Sequence, residues 1–175
     1  MPLFSFEGLV PRVDPNAFVA PTATLVGDVI VEAGASVWYG AVIRADYAPV
    51  IVRAGANVQD GAVLHGPPGL TTDVGRGATV AHNCVVHGAF LGDECLIANG
   101  SIVLDGARIG ARSLVAAGSV VAANTEIPPG VLAAGAPAVV KRPIDGSPAQ
   151  FWVDMNPAAY AELAMRHRQG VTRLD

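Results

Sequence analysis

The sequence predicts an all-β solenoid, a parallel β-helix of about six triangular coils followed by a C-terminal α-helix. Three observations carry that prediction. An aliphatic residue returns every six positions through most of the chain, a small residue follows it four places later, and glycines break the intervals. A period of six excludes an α-helix, whose apolar positions return every 3.6 residues, and fits short strands joined by turns. The 20 Gly and 13 Pro among 175 residues supply the turns such a repeat requires.

The aliphatic series runs Val19, Leu25, Val31, Val37, Ile43, Val52, Val58, Leu64, Val74, Val80, Val86, Leu91, Ile97, Val103, Ile109, Val115, Val121 and Ile127. Three steps depart from six: nine residues from Ile43 to Val52, ten from Leu64 to Val74, and five from Val86 to Leu91. The small partner is Ala23, Ala35 or Ala41 early on, Cys84 and Cys95 in the middle, and Ser101, Ser113 or Ser119 later. Each hexad forms one short side, three hexads close a coil, and each coil hydrogen-bonds to the next. The two cysteines fall on small-residue positions and are expected to be buried fillers rather than a disulfide framework.

The remaining segments follow from composition. Residues 1–147 are assigned to the β-helix and 148–175 to a C-terminal segment packed on it within the same domain. Phe151, Trp152, Tyr160, Leu163 and Met165 recur at helical spacing, and Asn156-Pro157 makes a helix start, so a helix is expected from about Pro157 to Gln169. It would lie along the solenoid and shield one side, with His167 packed there or facing water. The net charge of −4 and the lack of a basic run argue against a nucleic-acid partner. No apolar run reaches the roughly 20 residues of a membrane span, and MPLFSFEGLVPR lacks a signal-peptide pattern, so a cytoplasmic location is expected.

Numbering the hexads turns alignment into arithmetic, because residues three hexads apart stack roughly 4.8 Å from one another. His65 follows Leu64 and His87 follows Val86, so the two imidazoles stack on one face, with Arg44 one coil earlier and Leu104 one coil later. A second column holds Asp60, His82 and Asn99, with Gln59, Ala81 and Ala98 beside them. Two stacked neutral imidazoles can reach a common ion, but two protein ligands are rarely enough. His82 lies on a different side of its own prism, so a neighbouring chain would supply it. Three chains about a threefold axis would then form three equivalent sites. The face bearing Glu32, Arg53, Arg76 and Asp93 reads as solvent-facing. The other two carry Val26, Trp38, Leu104, Ala81, Ala98 and Ala116, an apolar surface to be covered. Arg44 and Asp60 would pair across the seam.

The hexad pattern from Val19 to about Val140 resembles the hexapeptide-repeat proteins, whose coils are left-handed. Within it, IRAD at 43–46, NVQDG at 57–61, LH at 64–65 and VAHNCVVHG at 80–88 resemble the gamma-class carbonic anhydrases. That resemblance implies a homotrimer binding Zn2+ or Fe2+ through His65 and His87 of one chain and His82 of the next. It implies that Gln59 hydrogen-bonds the metal-bound hydroxide, that Asn57 supports Gln59, and that Arg44 pairs with Asp60 while Asp46 holds Arg44. The implied reaction is attack of hydroxide on carbon dioxide to give bicarbonate. Two features depart from the family. The insertion Gly66 to Asp73 contains only Asp73 where the founding members carry an acidic proton-shuttle loop, and Asn99 stands where many short-loop relatives have Met. Hexapeptide repeats also build acyltransferases, in which a histidine is the general base and acyl-coenzyme A lies between chains. A metal-dependent acyl-coenzyme A thioesterase and a silent metal-binding assembly subunit complete the alternatives.

Overall fold

The computed structural model describes residues 2–174 and shows a three-sided solenoid of parallel rungs, one per hexad. The histidine face stacks Leu3–Phe4, the first part of Thr24–Val31, the first part of Val42–Val52, then Val63–His65, Val85–His87, Ile102–Val103 and Val120–Val121. The helix face stacks Phe18–Val19, Ser36–Val37, Asn57–Val58, Thr79–Val80, Leu96–Ile97, Leu114–Val115 and Val131–Gly135. The outer face stacks Arg12–Val13, the later parts of the two long strands, Thr72–Val74, Phe90–Leu91, Arg108–Ile109 and Glu126–Ile127.

Each face therefore carries seven rungs rather than the six expected. The added rungs lie where the aliphatic pattern is weakest. Leu3 and Phe4 are 38% and 52% exposed, and at the far end Ala133 replaces the larger aliphatic anchor. There Val131–Gly135 turns back antiparallel onto Ala138–Pro143, which ends the parallel stacking.

The hexad code maps directly onto the interior. Leu25, Ile43, Leu64, Val86, Val103 and Val121 form one fully buried ladder up the axis, and Ala23, Ala41, Ala62 and Cys84 fill the corners beside it. Cutting one ladder leucine back to alanine costs about 2–5 kcal/mol, because packed coils cannot collapse onto the void. Burial pushes the Cys84 thiol up to about 11 and that of Cys95 to about 12, so both stay protonated. They are free and buried, as their positions in the repeat anticipated.

The corner between the helix and histidine faces positions the site. Its turn takes one residue in the left-handed region, filled by Gly61 (φ 69°) and, one coil on, by Asn83 (φ 57°). Glycine or asparagine meets that demand at low steric cost. The residue just before this position is Asp60, His82 or Asn99 in successive coils. The backbone bonds Asn83 N–H to Asp60 O (3.0 Å), Gly100 N–H to His82 O (2.8 Å) and Gly118 N–H to Asn99 O (2.9 Å) hold the three in column.

The C-terminal helix spans Pro148–Gly170, beginning one residue after Ser147 rather than at Pro157. Pro148 occupies the first turn, where a missing N–H costs nothing, and Pro157 lies inside the helix. An interior proline costs about 3 kcal/mol, so local propensity alone argues for a break. Packing on both sides of Pro157 overrides it. Ala149 and Val153 pack with Leu96, Leu114 and Ile144, while Ala164 packs with Phe18, Ala20 and Trp38. His167 closes this contact, its ring 4.9 Å from that of Trp38 and its Nδ1 3.0 Å from the Tyr39 hydroxyl. No helix among the described residues is long and apolar enough to cross a membrane.

The outer face is only partly solvent-facing. Arg76 and Asp93 are exposed, whereas Arg53 is half-buried in a two-pronged bond to Asp73 (2.7 and 2.6 Å), with Glu32 3.7 Å away.

Candidate metal centre

The nine-residue and ten-residue steps, which interrupt the repeat, build the histidine face. Val42–Val52 continues through the first insertion and carries Asp46 to the level of His65. After His65 the chain leaves through Gly66-Pro67-Pro68 and returns at Thr72. The Thr72 hydroxyl donates to His65 O (2.6 Å) and accepts the Gly88 N–H (2.9 Å), clamping the exits of both histidine rungs. Gly66 has no alternative there, since a Cβ would lie 2.3 Å from the Ala48 carbonyl oxygen.

His65 and His87 occupy matched positions in adjacent rungs, as the hexad arithmetic requires. Their rings lie 4.9 Å apart, with His65 Nδ1 3.0 Å from His87 Nε2. The far nitrogen of each ring meets a carboxylate: His65 Nε2 lies 2.8 Å from Asp46 Oδ1, and His87 Nδ1 bonds to Asp105 Oδ1. A carboxylate only accepts, so each ring places its N–H there. The two nitrogens that face one another are then both bare lone pairs in the neutral rings. Such a contact is repulsive until a proton or a cation lies between them. Nitrogens each about 2.0–2.1 Å from one tetrahedral ion would stand about 3.3–3.4 Å apart. The pair needs to open by only about 0.3–0.4 Å to meet that spacing.

His82 repeats the arrangement at the corner. Its Nδ1 lies 3.1 Å from Asp60 Oδ2, and its Nε2 lies 3.4 Å from the Tyr160 hydroxyl. His65 and His87 thus each bond a carboxylate, the arrangement that fixes tautomer and raises basicity in metal-binding histidines, and His82 has the Asp60 carboxylate at ion-pair distance. Within a single chain, no group of three or more His, Cys, Asp or Glu side chains among the described residues is placed to hold an ion. His65 and His87 are together and His82 stands apart, so a shared ion needs His82 from another copy. The donor chemistry of the three imidazoles fits zinc or iron(II).

Gln59 sits at the end of a buried amide chain. Asn57 Nδ2 donates to Thr79 Oγ1 (2.9 Å), and Gln59 Nε2 donates to Asn57 Oδ1 (3.0 Å). That sequence leaves Gln59 Oε1 as the acceptor offered to the groove beside His82. The groove, about 460 Å3, runs between the solenoid and the C-terminal helix and is lined by Ala81, Ala98, Ala116, Asn99, Trp152 and Asn156 among others. Asn99 is exposed one coil beyond His82 and lines the same groove.

Two residues make further contacts within the chain. Asp46 does more than hold Arg44: it accepts from His65 through one oxygen and pairs with Arg44 through the other. Burial works against its ionisation, yet the bonds from His65 and Arg44 outweigh that and hold its carboxyl below the usual range. Asp60, expected to pair with Arg44 of another copy, lies within its own chain 3.1 Å from His82 Nδ1. Two site residues escaped the sequence reading. Asp105 was visible in principle, because it follows Leu104 in the column of His65 and His87. Tyr160 carried no signal, since its register against His82 depends on how the helix docks.

The fold and these residues define a hexapeptide-repeat β-helix protein of the left-handed class. No protein-family model matches the chain. Carnitine operon protein CaiE of Citrobacter koseri is 42% identical over 168 residues, covering 96% of this chain and 85% of that protein. CaiE of Salmonella typhi is 40% identical over 172 residues, covering 98% and 86%. Among solved structures, a hexapeptide transferase family protein from Anaplasma phagocytophilum is 32% identical with a TM-score of 0.87, covering 94% of this chain and 96% of that one. A candidate acetyltransferase from Bacillus cereus is 33% identical with a TM-score of 0.92, covering 95% and 96%. The chain belongs to the hexapeptide-repeat family that includes CaiE and the hexapeptide transferases. The narrower expectation of a gamma-class carbonic anhydrase gains no support from these relatives.

Proposed function

We propose that three copies pack about a threefold axis and that each seam holds a zinc-like or iron(II) ion between His65 and His87 of one copy and His82 of the next. The site would add water to an electrophilic carbon, with carbon dioxide as the substrate and bicarbonate as the product. The observation that carries this reading is the convergence of two carboxylate-fixed imidazole lone pairs at 3.0 Å. An ion held there by three imidazoles with an open fourth position supplies an acidified water at neutral pH. Around it, Asp46, Asp105 and Asp60 hold the three rings in their ligating tautomers. Gln59 Oε1, fixed through Asn57 and Thr79, would accept a hydrogen bond from a water or hydroxide held there and orient its remaining lone pair. Arg44 and Asp60 pair copies at the seam and set their register.

A second reading has its own support. The hexapeptide transferase from Anaplasma phagocytophilum and the candidate acetyltransferase from Bacillus cereus favour acyl transfer over carbon dioxide hydration, and the groove beside His82 has room for an acyl group. Here His82, held by Asp60, is the general base, and acyl-coenzyme A is the donor. A thioesterase using the metal site lies between the two readings.

One set of measurements separates them: metal content after aerobic and anaerobic purification, oligomeric state, stopped-flow carbon dioxide hydration, and turnover of acetyl-coenzyme A. Stoichiometric metal with hydration abolished in His82→Ala supports the first reading. Metal with hydrolysis of acyl-coenzyme A but no hydration supports the thioesterase. A metal-free protein under both purifications, with acetyl transfer to an added amine or alcohol, replaces the metal reading by the transferase.

A further inference from the structure

The C-terminal helix does more than shield one side. Trp152, Asn156 and Tyr160 follow one another at four-residue spacing, so they share one face of the helix, and all three line the groove that contains Gln59, His82 and Asn99. The ring of Tyr160 packs edge-on against Trp38 at 5.3 Å. A phenylalanine would pack equally well, so packing does not account for the hydroxyl. Its one hydrogen-bond partner among the described residues is His82 Nε2, at 3.4 Å.

Asp60 Oδ2 lies 3.1 Å from His82 Nδ1, so its charge favours the ring proton on that side and leaves the lone pair of the neutral ring on Nε2. This is the electron pair the ring has left to offer an ion. We propose that Tyr160 is a positioning residue that holds the lone pair of His82 until an ion takes it, so that filling the site and releasing the Tyr160 hydroxyl are one event. This rests on the metal reading above. In the metal-free protein the O–H donates to His82 and keeps the exposed ring aimed along the helix face rather than free in solvent. An ion taking Nε2 would displace that hydrogen bond.

Competition for the lone pair and mere packing predict opposite effects of one substitution. Tyr160→Phe keeps the ring on Trp38 and removes only the competing donor, so metal should bind more tightly, by about two- to fivefold for a long neutral hydrogen bond. A merely structural role predicts the reverse, since loosening the helix would lower affinity. The measurement is competition titration of the full-length protein and its Tyr160→Phe variant with Zn2+ and with Co2+ against a chromophoric chelator. The visible spectrum of the Co2+ form reports the ligand field, and thermal unfolding with chelator present reports helix docking. Tighter binding with an unchanged metal-free melting temperature and a shifted Co2+ spectrum is the expected result. Equal or weaker binding by Tyr160→Phe, with wild type binding stoichiometrically, overturns the role of Tyr160 and leaves the metal reading standing. Failure of the wild type to bind either ion overturns both.

Discussion

Replacing Asp46 by asparagine tests the lone-pair argument directly, because it predicts opposite behaviour for stability and for metal affinity. The variant keeps its shape but can turn an amide N–H toward His65 Nε2. The ring proton then moves to Nδ1, and the repulsive contact at 3.0 Å becomes an ordinary N–H to N hydrogen bond. That gain is about 0.5–1.5 kcal/mol. The loss is the pair with Arg44, whose side chain is 47% exposed, so it contributes only about 0–1 kcal/mol. Stability of the metal-free protein should therefore change by between about −0.5 and about +1.5 kcal/mol. Metal affinity should instead fall about 10- to 100-fold, or about 1.4–2.7 kcal/mol, because the tautomer is now wrong for ligation. Urea denaturation in chelator gives the first quantity and competition titration with Zn2+ the second. The acid limb supplies a check. The wild-type carboxyl is depressed below 3.8, so its stabilisation is complete above that value and is lost as pH falls through the lower folded-state value, a component the variant lacks. Unchanged affinity, or a metal-free variant destabilised by several kcal/mol, would refute the tautomer assignment.

Two further outcomes follow from the coils themselves. Gly66→Ala should lower stability by about 1–3 kcal/mol, because its Cβ would meet a backbone carbonyl at 2.3 Å and a neighbouring strand must yield; the denaturation midpoint at constant m-value reads this. The buried thiols of Cys84 and Cys95 should be silent to Ellman's reagent in the native protein at neutral pH. Their folded values lie above the ordinary 9.0, so above about pH 9 the unfolded chain loses protons that the folded chain keeps, and stability should fall with rising pH. Rapid reaction of either thiol at pH 7, or an alkaline limb unaltered in the Cys84→Ala, Cys95→Ala protein, would contradict the burial assigned to them.

The sequence by itself determined the solenoid, its core and the vertical register of His65 and His87. A strict hexad leaves one way to place aliphatic residues inside, and stacking by whole coils then aligns every column, so distance along the chain converts directly to height. The same arithmetic reached Asp60, His82 and Asn99, and it would have reached Asp105 had the column been followed one position further. Tertiary structure decided what has no period. The first and last coils were hidden because end coils bury less and tolerate exposed or small residues. The helix runs through Pro157 because packing on both sides outweighs a local cost, and its docking brings Tyr160 to His82. Asp46, the carboxylate behind His65, and hence which nitrogen of that ring carries the proton, depends on an insertion that leaves the repeat. A repeat specifies what recurs, so it aligned the histidines, while the partners supplied by an insertion or by the docked helix, Asp46 and Tyr160, had to come from the tertiary structure.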